Sequence, residues 1–386
     1  MGRTERVRRR PHTPSLLAAI LGALVAVAIA SGAANAKAPS GIFGVVYGPP
    51  GSSLPYAGVA ADTQLMASSG VESARVDFPW VAVEPQPGQL HWEVLDPVVA
   101  AAAAQGIDLL PVVIASPRWA SSGPGRVDFA FHAPRDPETY GRFLQALIGR
   151  YGPSGSFWAE NPALPKLPIR RWQIWNEPSA RYFWATPNYR RSYPRLLKVA
   201  YRAVHRADPG AQVVMAGLAS FLQRTGRKTT SWEDLRALYR NGVSRYFDVL
   251  AIHPFSRSLE RVVRTIRLNR NVMRQSGDRH KPIYLTELSW PASKGQIPRN
   301  RLLGFEVSAA RQRKLLTSAY RRFARDRKLG VKRVYWYSWS TPYSPVSCGG
   351  TQPSFQYVGL VQTPCGGFAS TPTPLLSTYA STARSL

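Results

Sequence analysis

The chain has 386 residues, of which 44% are hydrophobic and 11% aromatic. This is enough apolar material for one large core, and it excludes a disordered chain. The 50 lysine and arginine residues outnumber the 22 acidic residues, and the formal net charge of +28 favours an anionic partner or a strongly basic solvated surface.

The first 36 residues have the pattern of a secretory signal peptide. Five arginines precede an apolar run at 16–30, and Ala34-Asn35-Ala36 supplies the small residues of a cleavage site. An uncleaved membrane anchor is the alternative, but the run is short for a membrane span. We therefore predict export of residues 37–386 to the medium or to the cell envelope, with no stable membrane span after cleavage.

The basic charge is spread along the chain instead of forming an arm. Cleavage after residue 36 removes five arginines and Glu5, which lowers the net charge by four to +24. The anionic partners of an exported protein are cell-envelope polymers or anionic lipid surfaces, so we expect no binding to nucleic acid. Solvated helix faces without any partner are the alternative explanation.

The cysteine content points to one covalent link. Cys348 and Cys365 are the only cysteines, and glycine and proline flank them within one predicted loop. In an exported chain such a pair predicts a single disulfide. Two cysteines at this spacing do not make a zinc site, and no metal is predicted.

After the leader, strand-like runs alternate with helical stretches. The predicted strands cover 41–48, 74–80, 106–114, 172–178, 213–217, 247–254, 282–287 and 331–340. The predicted helices cover 56–69, 95–104, 136–151, 188–207, 232–240, 259–275, 305–327 and 375–383. The segment 152–168 is rich in glycine and proline and interrupts this alternation like an insertion.

Alternation of this kind implies a parallel sheet, and eight strands are the number at which such a sheet closes. We predict an α/β fold, a (β/α)8 TIM barrel that occupies 37–386 as one catalytic domain. An open doubly wound sheet is the alternative. No glycine-rich phosphate turn follows the first predicted strand, so a nucleotide site is not indicated and no cofactor is predicted.

Two glutamates stand apart because each ends a predicted strand. Glu177 ends the fourth strand and Glu287 the seventh, and active sites of TIM barrels lie at this edge. Strands about 4.8 Å apart and tilted by roughly 36° close a barrel about 15 Å wide, and two side chains reaching inward by about 4.5 Å leave roughly 5 Å between them. That separation suits a retaining glycosidase, at about 5–5.5 Å, better than an inverting one, at about 6.5–9.5 Å.

The motifs together resemble the clan A glycoside hydrolases, which are retaining β-glycosidases with a barrel fold. The resemblance covers 41–386 and rests on four features, namely Trp175-Asn176-Glu177-Pro178, the segment 285–290, Arg75 ending the second strand and Trp339 ending the eighth. It implies that Glu177 is the general acid/base, that Glu287 is the nucleophile and that Asn176 contacts the sugar 2-hydroxyl.

Three further residues are candidates for the binding site. Arg75 is expected to keep Glu287 ionised, with a salt bridge of no catalytic purpose as the alternative. Trp290 and Trp339 are expected to offer flat apolar faces to sugar rings, with a place in the core as the alternative.

The chain departs from the family pattern at two strands. Many members carry a tyrosine after strand six whose hydroxyl touches the nucleophile, whereas Phe255 stands at this place. We expect His253 to substitute for it, with a buried structural histidine as the alternative. The segment 116–119 replaces a His-Asn pair of family 5 after strand three, which favours the family 39-like branch over the family 5-like branch.

The sequence thus predicts an exported retaining β-glycosidase that hydrolyses an oligo- or polysaccharide of plant or cell-envelope origin. The loops at 181–184 and 343–368 are expected to wall its cleft. Two alternatives stay open. One is a non-catalytic carbohydrate-binding barrel, and the other is a basic envelope-associated scaffold that needs neither glutamate.

Overall fold

A computed structural model describes residues 1–2, 38–48, 58–124, 129–222, 228–342, 353–363 and 370–386. Ala38–Leu386 form one compact unit. The predicted signal peptide, apart from Met1 and Gly2, lies outside the described residues. So do Cys348 and Cys365, and their predicted disulfide stays a prediction.

Eight parallel strands form a closed ring. They are β1 (Phe43–Tyr47), β2 (Ser73–Pro79), β3 (Asp108–Ile114), β4 (Arg171–Ile174), β5 (Gln212–Val214, with a second piece at Leu218–Ala219), β6 (Leu250–His253), β7 (Ile283–Leu288) and β8 (Val331–Trp336). Neighbours along the chain pair in parallel, and β8 pairs with β1. The first piece of β5 pairs with β4 and the second with β6, so the ring closes at this split strand. The predicted (β/α)8 barrel is confirmed.

A helix follows each strand on the outside of the ring. The helices are α1 (Val59–Ser68), α2 (Asp96–Ala104), α3 (Pro137–Tyr151), α4 (Tyr189–Ala207), α5 (Ser231–Arg240), α6 (Leu259–Gln275), α7 (Ala309–Arg325) and α8 (Pro374–Arg384). Side-chain oxygens of Asp136, Ser258 and Ser308 cap α3, α6 and α7 by accepting from backbone N–H groups of the first turn. Among the described residues, no helix is both long enough and apolar enough to cross a bilayer.

Short helices, a hairpin and a small sheet lie in the connections between the main strands and helices. Two short helices, Trp80–Val83 and Ser156–Glu160, follow β2 and α3. A hairpin joins Phe221–Leu222 to Lys228–Thr229, and a small sheet combines Ser340–Pro342, Val361–Thr363 and Thr371–Pro372. Turns of 3₁₀-helix lie at Trp92–Val94, Phe129–Phe131, Arg299–Arg301, Arg327–Leu329 and Pro353–Tyr357.

Apolar side chains fill both sides of the sheet. Six of the seven residues of β3 are buried, as expected for a strand covered on both faces. A separate cluster lines the barrel interior, namely Val46, Leu110, Val214, Val249, Ala251, Tyr284 and Tyr335. Val46 and Leu110 flank Arg75 in the β-ladder, so this arginine begins the polar part of the interior.

The strands differ from the predicted ones mainly at their ends. β4 stops at Ile174 because Trp175 and Glu177 have φ angles of 67° and 38°, which a strand does not contain. β5 is interrupted at 215–217, and β6 begins at Leu250 instead of 247. β8 ends at Trp336, so Trp339, predicted to end it, lies three residues further on.

Candidate active site

The sharp turn after β4 places Glu177 at the mouth of the barrel. The Trp175 N–H donates to the Val113 carbonyl oxygen at 3.0 Å and keeps this residue on the β3 ladder. Trp175 and Glu177 then adopt left-handed φ angles, which residues other than glycine rarely do. The buried Trp175 indole donates to the Phe183 carbonyl oxygen and anchors the turn. Backbone strain of this kind concentrates at functional sites.

Arg75 lies beneath the mouth and joins three strands. Its guanidinium donates to Glu287 Oε1 at 3.0 Å, to Gln173 Oε1 at 2.9 Å and to Asn176 Oδ1 at 2.9 Å. Arg75 was predicted to end β2, but it is the third of seven residues in that strand and only 3% exposed. It is therefore placed to orient Glu287 and Asn176, and its expected contact with substrate stays a prediction.

His253, the last residue of β6, lies between the two glutamates. Its Nδ1 is 2.6 Å from Glu177 Oε1 and 3.6 Å from Glu287 Oε2, and its Nε2 is 3.0 Å from Thr286 Oγ1. One ligand atom of each of Glu177, His253 and Glu287 lies within 4.8 Å of the other two. The same three atoms could hold a metal ion, and the predicted absence of a metal stays a prediction.

Burial and neighbouring charges shift the pKa of each of these three side chains. Burial raises the pKa of Glu177 to about 8, although the nearby Arg75 charge acts in the opposite direction. Burial also lowers the pKa of His253 to about 4, so this imidazole is neutral near pH 7. Burial raises the pKa of Glu287 as well, but the charges of His253 and Arg75 and the Arg75 hydrogen bond oppose that shift. Near pH 7, Glu177 therefore holds its proton, whereas the neighbours of Glu287 favour the ionised form of that carboxyl.

The other predicted site residues fall into two groups. Asn176 lies with the glutamates, since Arg75 holds its carbonyl oxygen and its backbone bridges to Gly217. Trp290 and Trp339 have no exposed surface, and the Trp290 indole donates to the Ser256 carbonyl oxygen at 2.6 Å. Neither ring presents a face to solvent in this structure, and their expected role as sugar platforms stays a prediction.

Phe255 does not stand alone at the place of the expected tyrosine. Its ring lies 5.5 Å from Phe305, 5.5 Å from Phe355 and 6.1 Å from Tyr337. Among these four rings only Tyr337 carries a hydroxyl, and this residue, the first after β8, is partly exposed. Burial, with the charges of Glu287 and Glu177, raises the pKa of Tyr337, which places this phenol near both glutamates.

Three site residues escaped the sequence analysis although each carries a signal. Gln173 is a buried polar residue in the apolar run of β4, and it positions Arg75. Gly217 follows the first piece of β5, where an added Cβ would lie 2.1 Å from His253 Nε2. Asp77 follows Arg75 by two positions on β2 and is partly exposed. The alternation of side chains along a strand predicts that Asp77 and Arg75 share the interior face.

Aromatic side chains stand beside the cleft on the predicted wall at 181–184. Tyr182 is 64% exposed, and its ring stacks on Phe131 at 5.3 Å. Trp184 is buried against Trp175. Of the second predicted wall, only residues 353–363 of the segment 343–368 are described.

The comparisons with known proteins agree with the predicted resemblance. Residues 52–124 match the family model Glyco_hydro_42, described as β-galactosidase. This match covers less than half of the chain. The search of curated proteins found no match to the chain.

Solved structures match over most of the chain. A glucosidase from Croceicoccus marinus has a TM-score of 0.58 and 14% identity, covering 90% of this chain and 68% of its own. A family 39 glycoside hydrolase from Bacteroides cellulosilyticus WH2 has a TM-score of 0.61 and 16% identity, covering 90% and 64%. The family 39 enzyme from Xanthomonas axonopodis pv. citri has a TM-score of 0.59 and 16% identity, covering 89% and 67%.

At identities this low, the structural matches establish the fold alone, which this chain shares with glycoside hydrolases of the family 39 type. The chain spans about two-thirds of the length of these three proteins. Fold, family model and the position of the two glutamates together support the predicted class, a glycoside hydrolase with a (β/α)8 barrel.

Proposed function

We propose that the chain is a retaining β-glycosidase in which Glu177 is the acid/base and Glu287 the nucleophile. The observation that carries the proposal is the approach of the two carboxylates, within 4.8 Å at their nearest ligand atoms, at the ends of β4 and β7. This separation fits the roughly 5–5.5 Å of retaining enzymes and leaves no room for the water of an inverting one.

The two environments fit the two steps of double displacement. An oxygen of ionised Glu287 attacks the anomeric carbon, while Glu177 gives its proton to the glycosidic oxygen and the alcohol leaves. The Glu177 carboxylate then takes a proton from water, and the water oxygen displaces Glu287 from the sugar. Arg75 supports the anionic state of Glu287, and burial supports the protonated state of Glu177.

A panel of aryl β-glycosides tests the proposal and identifies the sugar. The panel should include β-galactosides, β-glucosides and β-xylosides. We expect the parent protein to hydrolyse at least one of them with a β-configured first product in proton NMR. Glu177→Gln and Glu287→Gln should each lower kcat/KM by several orders of magnitude, whereas Glu138→Gln, on the exposed face of α3, should not.

Three results would contradict parts of the proposal. An α-configured first product would contradict retention, and activity that survives both glutamate changes would contradict the roles of Glu177 and Glu287. A parent protein that hydrolyses none of the panel would contradict the enzyme assignment. Sugar binding without hydrolysis would identify the non-catalytic carbohydrate-binding barrel instead.

We further propose that the protein is exported and retained by anionic cell-envelope polymers. The leader pattern supports export. The helices α4, α6 and α7 carry six, five and six lysine or arginine residues and only one acidic residue, Glu260. N-terminal sequencing of secreted material tests export, and a first residue of Met1 would refute the predicted cleavage.

A further inference from the structure

A third carboxylate, Asp77, faces the same space as the proposed catalytic pair. Asp77 and Arg75 are two positions apart on β2, and side chains at this spacing share one face of a strand. Arg75 is 3% exposed, whereas Asp77, one layer closer to the C-terminal mouth, is partly exposed. The carboxylate therefore lies on the floor of the cleft and is open to a ligand.

The Asp77 carboxylate accepts no hydrogen bond from the described residues, and only the nearby Arg75 charge opposes the rise that burial causes in its pKa. No side chain in the described part of the chain forms an ion pair with it either. The guanidinium of Arg75 directs its hydrogen bonds to Glu287, Gln173 and Asn176. A half-buried carboxylate without hydrogen-bond partners is costly unless a ligand supplies donors.

The surroundings of Tyr337 place Asp77 beside the catalytic pair. Burial raises the pKa of this phenol, and the charges of Glu287, Glu177 and Asp77 act in the same direction. Since Tyr337 follows β8 and Asp77 lies on β2, the carboxylates approach one cavity from several sides. The cleft is thus acidic around the place where the sugar ring must lie.

We propose that Asp77 accepts hydrogen bonds from hydroxyl groups of the sugar ring held over Glu287, so that the site takes neutral sugars and rejects uronic acids. This inference rests on the proposed glycosidase function. A carboxylate is a strong acceptor for one or two hydroxyl donors. A uronate would bring a like charge next to Asp77 and Glu287, and like charges placed together oppose binding.

The test compares Asp77→Asn and Asp77→Ala with the parent protein. Asp136→Asn, the same change at the exposed cap of α3, is the matched control because asparagine also caps helices. The parent should prefer its best neutral aryl β-glycoside to the aryl β-glucuronide by about tenfold or more. Both Asp77 variants should lose about 10- to 100-fold in kcat/KM for the neutral substrate, and their glucuronide-to-neutral activity ratio should rise.

The melting temperature separates recognition from a structural role. Because Asp77 makes no hydrogen bond within the described residues, the Asp77 variants should melt at or above the temperature of the parent. A loss of activity that follows a lower melting temperature would overturn the inference. So would kcat/KM values within twofold of the parent, or a parent that hydrolyses the glucuronide equally well.

A binding measurement keeps this inference separate from the proposed function. Saturation-transfer NMR with neutral monosaccharides and with glucuronate is recorded on Glu287→Gln, alone and combined with Asp77→Asn. One outcome is that the parent protein hydrolyses no substrate, while neutral sugars still bind and lose affinity when Asp77→Asn is added. Asp77 then recognises sugar, and the glycosidase proposal fails. If hydrolysis occurs and the second change alters neither binding nor kcat/KM, the glycosidase proposal stands and the Asp77 inference fails.

Discussion

The two proposed catalytic glutamates have the same side chain but different neighbours. Glu177 contacts His253, whose imidazole is neutral near pH 7, and no cation forms an ion pair with it among the described residues. Glu287 receives a guanidinium N–H from Arg75. A buried carboxyl without an ion pair keeps its proton, whereas one bonded to a guanidinium loses it more readily. The neighbours, and not the residue type, thus support the proposed roles of acid and nucleophile.

The activity of the parent protein should fall as the pH rises through about 8. The raised pKa of Glu177 belongs to the free protein, and kcat/KM reports free-enzyme groups. Glu177 is protonated below this pKa and acts as an acid there, so the loss occurs on the alkaline side.

A pH series of kcat/KM with an aryl β-glycoside checks this expectation. In Glu177→Gln the residual activity on a substrate with a good leaving group should not fall through this range. An unchanged alkaline limb in that variant would assign the titration to another group.

The sequence was enough to find site residues that lie at the end of an apolar run. It was not enough to find residues whose role depends on a contact with a side chain from another strand. Glu177 and Glu287 follow apolar runs, so a count of strands brings them together. Gln173 and Asp77 lie within strands, and only the closed barrel shows that Arg75 bonds the first and not the second. The partner of Phe255 could not be found in this way, because Tyr337 comes from another strand end.

At the scale of elements, the break in β5 makes room for His253. Gly217 lies in this break, and an added Cβ would lie 2.1 Å from His253 Nε2. Gly217→Ala should displace the imidazole from Glu177 and lower kcat/KM by about 100-fold, with a loss of about 1–3 kcal/mol in unfolding free energy.

The matched control is Gly149→Ala on α3, where an added Cβ meets nothing within 4 Å. This exposed helical change should raise the free energy of unfolding by about 0.5–1 kcal/mol without changing kcat/KM. Steady-state kinetics and denaturant unfolding measure both effects. A fully active Gly217→Ala protein would show that the position of His253 does not limit catalysis.

Tyr193 on α4 links the end of β4, which precedes the proposed acid/base Glu177, to the break in β5. Its hydroxyl donates to the Ile174 carbonyl oxygen at 3.0 Å and accepts from the Ala216 N–H at 2.8 Å. Tyr193→Phe leaves a buried N–H without its acceptor, so the unfolding free energy should fall by about 1–3 kcal/mol. Tyr201→Phe makes the same change on the same helix at a half-exposed site and should cost less than about 0.5 kcal/mol. If urea unfolding showed the same loss of unfolding free energy for both variants, the two hydrogen bonds of the Tyr193 hydroxyl would not contribute to stability as expected.

The order and type of the main elements were predictable, while several boundaries were not. The main strands were predicted from short apolar runs, which a barrel buries on both faces, and the main helices from the stretches that alternate with these runs. The end of β4 depends on left-handed backbone at Trp175, which tertiary contacts to Val113 and Phe183 support. The split of β5 likewise depends on its pairing with two different neighbours.

At the scale of the whole molecule, many exposed arginines of the described residues lie on the outer helices of the barrel, whereas the described cation next to the two glutamates is buried. Arg264 and Arg267 on α6 are exposed, and so are Arg311 and Arg321 on α7. The cation at the cleft, Arg75, is buried beneath Glu287. Attraction to an anionic polymer would therefore act on the helical face and leave the acidic cleft free for substrate.

This separation of charges predicts that polymer binding and hydrolysis respond to different changes. The paired change Arg264→Gln and Arg267→Gln should weaken binding to immobilised dextran sulfate by about 30-fold, since each cation near an anionic surface contributes about 1 kcal/mol. The kcat/KM for a small aryl β-glycoside should stay unchanged. Arg142→Gln with Lys166→Gln removes the same charge from exposed sites elsewhere and should weaken binding less.

Binding of the parent protein to dextran sulfate should also fall as added salt screens the electrostatic attraction. Binding that ignores salt, or that both pairs weaken equally, would show that the basic helices are only a solvated surface.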